Sequence, residues 1–191
     1  RRSADGRGRP LRRQAAGAMT GNPTMHASAV LVGARAVLIR GPSGSGKSSL
    51  AFDLIMAGRS GLMPNAILVG DDRVRLDTCA GNLVVRPAPE LAGLIEVRGL
   101  GIRRIEHVEE AVVGLVVDLA AEDADRLPAT EALTIQVDGV ELPRIPVHLR
   151  YSPLPLIVAA LTTTDGTASD PPSADCRKGI ANHISPTIAT E

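Results

Sequence analysis

The stretch Gly41-Pro42-Ser43-Gly44-Ser45-Gly46-Lys47-Ser48 constrains this chain more than any other. It satisfies G-x-x-x-x-G-K-[ST] at every fixed position, the pattern of a loop that wraps phosphate groups. Glycines at 41, 44 and 46 permit dihedrals that a Cβ resists, so successive backbone N–H groups can turn inward toward phosphate oxygens. Lys47 supplies a point charge for the outer phosphates, and the Ser48 hydroxyl a ligand for Mg²⁺. The flanks agree. Residues 36–39 read as a buried strand, and residues 47–57 keep a helical apolar stripe through Leu50, Ala51, Leu54, Ile55 and Ala57, with Gly58 as the expected stop. A Gly/Ser-rich loop without a ligand is the competing reading; strand, loop and helix in this order argue against it. The expectation is a nucleoside triphosphate or a related phosphate ligand.

The core that carries such a loop must be aliphatic. Of 191 residues 44% are hydrophobic, yet Phe52 and Tyr151 are the sole aromatics, so Val, Leu, Ile and Ala fill the interior. That suits a sheet covered by helices. The 21 basic and 21 acidic residues cancel, so overall charge argues for neither nucleic acid nor membrane as a partner. No stretch approaches the ~18 consecutive apolar residues of a membrane span. The N-terminal arginines are not followed by the apolar run of a secretory signal. Cys79 and Cys176 stand far apart, show no metal-ligand spacing, and read as free thiols of a reducing cytoplasm.

Along the chain, residues 1–24 hold six arginines, four glycines and little to bury, and read as disordered; a basic arm for an anionic partner is the alternative. Residues 25–32 form a strand that turns at Gly33-Ala34 into the strand feeding the phosphate loop. His26 stands at its start, and on spacing alone a lone histidine is more often structural than catalytic. Residues 66–70 are a short buried strand ending on Asp71-Asp72. Phosphate-loop proteins place Mg²⁺-holding and hydroxyl-orienting carboxylates at such a strand end. Residues 73–76 and 83–86 alternate around Gly81-Asn82 and predict a hairpin. In residues 94–102, Glu96 and Arg98 share a face if the chain is extended, and Gly99 and Gly101 suggest a sharp turn or a close approach. Residues 105–110 read as a helical turn and residues 111–119 as a buried strand. Asp138-Gly139 joins a hairpin of residues 134–137 and 140–142, and residues 145–149 form one more strand. Residues 153–161 close the domain as a helix, and residues 162–191 read as a disordered tail. The sum is one α/β domain over residues 25–161, with a mixed sheet and several β-hairpins.

Taken together, these motifs resemble the HPr kinase/phosphorylase family, the bifunctional serine kinases of the bacterial phosphotransferase system. Four elements carry the resemblance: Met25-His26 ahead of the loop, Gly41 to Ser48, Asp71-Asp72-Arg73-Val74 at a strand end, and Ile95-Glu96-Val97-Arg98-Gly99-Leu100-Gly101-Ile102. Asp125-Arg126-Leu127 is similar to the family's segment holding an active-site arginine. The resemblance implies a P-loop domain of the kind shared by HPr kinase C-terminal domains and PEP carboxykinase. It implies ATP and Mg²⁺ as cofactors, an HPr-type phosphocarrier as partner, a cytoplasmic location, and a homo-oligomer that is hexameric by analogy. It makes Asp71 the base toward the substrate serine, with His26 beside it and Asp72 and Arg98 in support. Ser48 and Glu96 would hold Mg²⁺, Lys47 the phosphates, and Arg126 the transferring phosphoryl group. The short arginine-rich segment before Met25 matches the family's short form, known from α-proteobacteria, which lacks the N-terminal domain. Where the family has Pro-Val-Arg-Pro-Gly-Arg for dephosphorylation, this chain reads Pro146-Val147-His148-Leu149-Arg150-Tyr151, and residues 59–65 are longer than usual. Competing readings are a small-metabolite kinase, for which no Arg-rich lid is visible, and a non-catalytic ATP-binding module.

Overall fold

The computed structural model describes residues 23–164; most of both tails, and Cys176 with them, lie outside the described residues. Strand β1 (Ser28–Val32) turns at Gly33, whose φ is 58°, and returns antiparallel as β2 (Arg35–Arg40). The phosphate loop follows, then helix α1 (Lys47–Arg59) and strand β3 (Ala66–Gly70), which pairs antiparallel with the outer side of β1. Strands β4 (Val74–Cys79) and β5 (Asn82–Pro87) make a hairpin, and β6 (Leu94–Val97) and β7 (Gly101–Arg104) a separate two-stranded ribbon. The long strand β8 (Ala111–Leu119) lies parallel to β2. Strand β9 (Thr134–Val137) pairs antiparallel with β10 (Val140–Val147), β10 runs parallel to β8, and helix α2 (Pro153–Thr162) ends the described chain. The sheet order is β3-β1-β2-β8-β10-β9, with the β4–β5 hairpin joined to it through β5 and β8. The mixed α/β sheet with hairpins expected from the sequence is therefore what the chain builds.

Residues 36–39 are apolar throughout because both faces of β2 are covered. On one face Val30, Val37 and Ile39 pack with Leu50, Leu54 and Ile55 of α1 and with Ile157 of α2. On the other, Ala29, Ala36, Leu38 and Val116 pack with Val74, Leu76, Leu83 and Val85 of the β4–β5 hairpin. Each fully buried Leu or Ile contributes about 1.5–3 kcal/mol relative to exposure. The parallel strands β2, β8 and β10 send their C-terminal ends to one edge, where open α/β sheets bind their ligands. No helix among the described residues is long and apolar enough to cross a membrane.

Five local expectations need correction. Gly58 does not stop α1, which runs on to Arg59. A Cβ at Gly58 would lie 2.6 Å from the Ala66 backbone nitrogen, so this glycine permits close packing of helix on strand. Regular pairing of β1 begins at Ser28 rather than at residue 25, although Met25 and Val74 exchange two backbone hydrogen bonds of 2.8 and 3.0 Å. The β4–β5 turn sits at Ala80-Gly81, both at positive φ (49° and 78°), and Asn82 already belongs to β5. Residues 105–110 are not a helical turn. His107 bridges Leu68, and the Val108 N–H donates to the Leu68 carbonyl at 2.9 Å, which satisfies the outer edge of β3. Residues 140–142 and 145–149 are not two strands. β10 is continuous and changes partner at Pro143, pairing β9 over residues 140–143 and β8 over residues 144–147.

Candidate active site

The phosphate loop leaves β2 directly after Arg40. Gly41 has φ 145°, and a Cβ there would lie 2.8 Å from the Leu119 carbonyl oxygen, so the close approach of loop and β8 admits glycine alone. Gly46 caps α1 at φ 95°. The first turn of α1 carries no acidic residue, so no carboxylate of the helix itself competes with an anion for its free backbone N–H groups. Lys47 is buried and its Nζ donates to the Gly41 and Pro42 carbonyls at 3.0 Å each. Burial pulls the Lys47 pKa below its ordinary value, against the opposing pull of the Asp72 and Asp71 charges.

A cleft of about 300 Å³ opens over this loop. Its walls are Ser43, Gly44, Gly46, Lys47, Ser48 and Ser49 from the loop and α1, His26 from the approach to β1, Asp72 from the end of β3, and Glu96 and Arg98 from the β6–β7 ribbon. Elements far apart in sequence, from His26 to Arg98, thus converge on one polar cavity. Arg126 is not brought there. It is exposed, in the segment after β8, and does not line the cleft.

The two aspartates part company. Asp71 points inward and is almost fully buried. One carboxylate oxygen accepts from Ser28 Oγ at 2.5 Å and the other from the Glu96 backbone N–H at 3.1 Å. Asp72 adopts a left-handed φ of 64°, turns outward, and sets a carboxylate oxygen 3.2 Å from His26 Nε2. Asp71, expected at the substrate hydroxyl, is therefore committed to the interior, and Asp72 is the carboxylate that faces the cleft. Both aspartates lie past the end of β3, and the left-handed backbone at Asp72, which sequence alone does not show, sends the second side chain away from the first. The sequence signal for Ser28 is slight: a lone hydroxyl inside the apolar run of residues 27–32, which when buried needs a hydrogen-bonding partner.

The donor set suits a hard divalent cation. Ser48 and Glu96 both line the cleft and offer two oxygen ligands, leaving the remaining positions to phosphate oxygens and water, as Mg²⁺ usually requires. Among the described residues no cluster of three or more His, Cys, Asp or Glu forms a cage made by protein alone.

Beneath the loop, the three parallel strands are tied by charge. Asp118 of β8 accepts two hydrogen bonds of 2.7 Å from Arg40 of β2 and one of 2.6 Å from Arg144 of β10. Arg144 also reaches the Asp123 carboxylate and the Ala132 carbonyl, which anchors both ends of the segment carrying Arg126.

The chain is similar to known proteins over most of its described length. Residues 18–160 match the family model described as HPr Serine kinase C-terminal domain. The HPr kinase/phosphorylase of Mycoplasma mycoides subsp. mycoides is 33% identical over 151 residues, covering 71% of this chain and 46% of that protein. That of Neisseria meningitidis serogroup C is 33% identical over 134 residues, covering 64% of this chain and 38% of that protein. The chain thus spans less than half the length of these curated relatives. Among solved structures, the Hpr(Ser) kinase/phosphatase from Coxiella burnetii matches with a TM-score of 0.58 at 26% identity, covering 73% of this chain and 93% of that one.

Proposed function

The chain belongs to the HPr serine kinase C-terminal domain family, and from that premise we propose that it transfers the terminal phosphoryl group of ATP to a serine of an HPr-type phosphocarrier. One observation carries the reading: the phosphate loop, the His26–Asp72 pair and Glu96 wall a single cleft.

In the forward direction the serine Oγ forms a bond to the γ-phosphorus, the bond from that phosphorus to the β–γ bridging oxygen breaks, and ADP leaves. Asp72 accepts the serine proton, the role that the family resemblance implies for Asp71. Its carboxylate faces the cleft, and His26 holds it in line. Lys47 and the N–H groups of the loop and of the first turn of α1 bind the phosphates and hold them for in-line attack. Mg²⁺, bound by Ser48 and Glu96, would neutralise phosphate charge. Arg98 lines the cleft and would offer its guanidinium to the transferring group. Arg126 would join it through movement of its exposed segment.

The reverse reaction belongs to the same proposal. Inorganic phosphate attacks phosphoserine, pyrophosphate forms, and Asp72 returns the proton to the departing serine oxygen, as microscopic reversibility requires. A homo-oligomer, hexameric by family analogy, and a cytoplasmic setting beside the carrier complete the reading.

The test is mass spectrometry of a purified HPr-type protein after incubation with ATP, Mg²⁺ and this chain. One phosphoserine, absent when Lys47→Ala replaces the wild type, supports the proposal. An unmodified carrier, with ATP bound, sinks it in favour of a nucleotide-binding module.

A further inference from the structure

We propose that Ser28 and Asp71 form a positioning pair that holds the three cleft-bearing segments together, and that Asp71 itself accepts no proton from the substrate. The inference rests on the proposed function for what the cleft does, and on geometry alone for how it is held.

Ser28 is fully buried and Asp71 nearly so. A buried carboxylate is costly unless its oxygens are satisfied. Here both oxygens are engaged, one by the Ser28 hydroxyl and one by the Glu96 amide. Each of these contacts sits beside a cleft group. Ser28 lies two residues after His26, Asp71 immediately precedes Asp72, and the third partner is Glu96 itself. The backbone shows why side chains are needed. The β1–β3 ladder ends with Ala29 opposite Gly70, and the same register resumes at Met25 opposite Val74. Between these two points His26 and Asp72 must reach the cleft, Asp72 with a left-handed backbone. The Ser28–Asp71 bond bridges that gap. The other Asp71 oxygen reaches the β6–β7 ribbon, whose strands pair with each other and not with the main sheet. The Asp71–Glu96 bond ties this ribbon to the end of β3, and with it the place of Glu96 in the cleft that Ser48 also lines.

A proton acceptor and a positioning group respond differently to the same substitution. In Asp71→Asn the amide oxygen still accepts from the Glu96 N–H, and the amide nitrogen donates to Ser28 Oγ, so both contacts persist with one reversed. Asn cannot take a proton from a serine. Asp71→Ala loses both contacts, and Ser28→Ala loses one while leaving the carboxylate in place.

The experiment measures three quantities on Asp71→Asn, Asp71→Ala, Ser28→Ala and the wild type. They are kcat for phosphoryl transfer, the gain in ATP affinity on adding Mg²⁺, and hydrogen exchange at the Glu96 amide. We expect Asp71→Asn within about threefold of wild-type kcat, Ser28→Ala down about tenfold and Asp71→Ala down about 10²-fold, the scale of a cleft group displaced by ~1 Å. ATP affinity without Mg²⁺ should hold, while the gain from Mg²⁺ shrinks in both alanine variants. The Glu96 amide should exchange faster in Asp71→Ala than in Asp71→Asn. Should Asp71→Ala fail to fold, Ser28→Ala carries the same readings. The proposal is overturned if Asp71→Asn is as inactive as Asp71→Ala while Ser28→Ala matches the wild type. If the wild type transfers no phosphate to the carrier, the proposed function fails, and amide exchange with Mg²⁺-linked binding still judges the pair.

Discussion

His26 Nε2 and a carboxylate oxygen of Asp72 stand 3.2 Å apart, although one residue precedes the first strand and the other follows β3. Both side chains are at least half exposed, so their attraction contributes little to stability. Its value is directional. Asp72 is held at a positive φ that most residues avoid, and such strain persists where surrounding contacts over-determine it. The Arg73 N–H bond to the Asp71 carbonyl at 2.8 Å and the Met25–Val74 pair supply those contacts.

If Asp72 is the proton acceptor, Asp72→Asn keeps its size and hydrogen bonds but removes proton transfer. We expect forward transfer and phosphorolysis to fall together by roughly 10²–10⁴-fold, the usual worth of general acid–base help. ATP affinity should change little. His26→Ala should cost less, since it removes an orienting partner and leaves the carboxylate. Titration of nucleotide binding beside both rate assays checks this. Loss in one direction alone would move Asp72 from proton transfer to another role.

Glu96 invites a test by metal. Glu96→Gln keeps shape but offers an amide oxygen, which a hard divalent cation holds less well than a carboxylate. The Mg²⁺ concentration for half-maximal rate should rise in both directions, and saturating Mg²⁺ should recover part of the activity. An unaltered Mg²⁺ titration removes Glu96 from the metal's ligands.

Much of this site is legible in the sequence because its signals are local. The spacing of Gly41, Gly46, Lys47 and Ser48 needs no tertiary context, and the run of residues 66–70 announces a buried strand ending on acids. The roles of those acids are not local. Asp71 is turned inward by Ser28, 43 positions away, and by a backbone amide of the ribbon. The same holds for the ribbon itself, whose glycines mark a turn but not the cleft beside it. Pro143 looks like a strand end in sequence and is instead the point where β10 exchanges one neighbour for another.

Gly58 separates local from tertiary effects. By helix propensity alone, Gly58→Ala should stabilise α1 by about 1 kcal/mol. The added Cβ, however, would stand 2.6 Å from the Ala66 nitrogen and 2.8 Å from its Cβ, both on a strand that cannot move without disturbing β1. Overpacking of this kind costs about 1–3 kcal/mol. The net expectation is a lower Tm and a shift of β3, which would also loosen Asp72. A Tm equal to or above that of the wild type refutes the packing role.

Asp118 links stability, pH and the phosphate loop. Burial alone favours its neutral form and pushes its pKa up. The hydrogen bonds from Arg40 and Arg144, together with their charges, outweigh burial and hold the pKa below the usual carboxylate value. A folded pKa below the unfolded one, ~3.9, gives stability that is fully present above the unfolded value. That stability is lost as pH falls through the folded one. Asp118→Asn should therefore destabilise the protein at pH 7 by on the order of 3 kcal/mol, because it leaves two arginines facing each other across β8. As pH falls from ~3.9 through the lower folded pKa, the wild type gives up the same stabilisation, and the gap between the two proteins should narrow. Denaturant unfolding of both at neutral and at acid pH measures it. Arg40 immediately precedes Gly41, so the variant should also bind ATP more weakly at neutral pH than its stability alone would require. A gap that stays constant with pH would mean that packing, and not the charge on Asp118, joins the three strands beneath the loop.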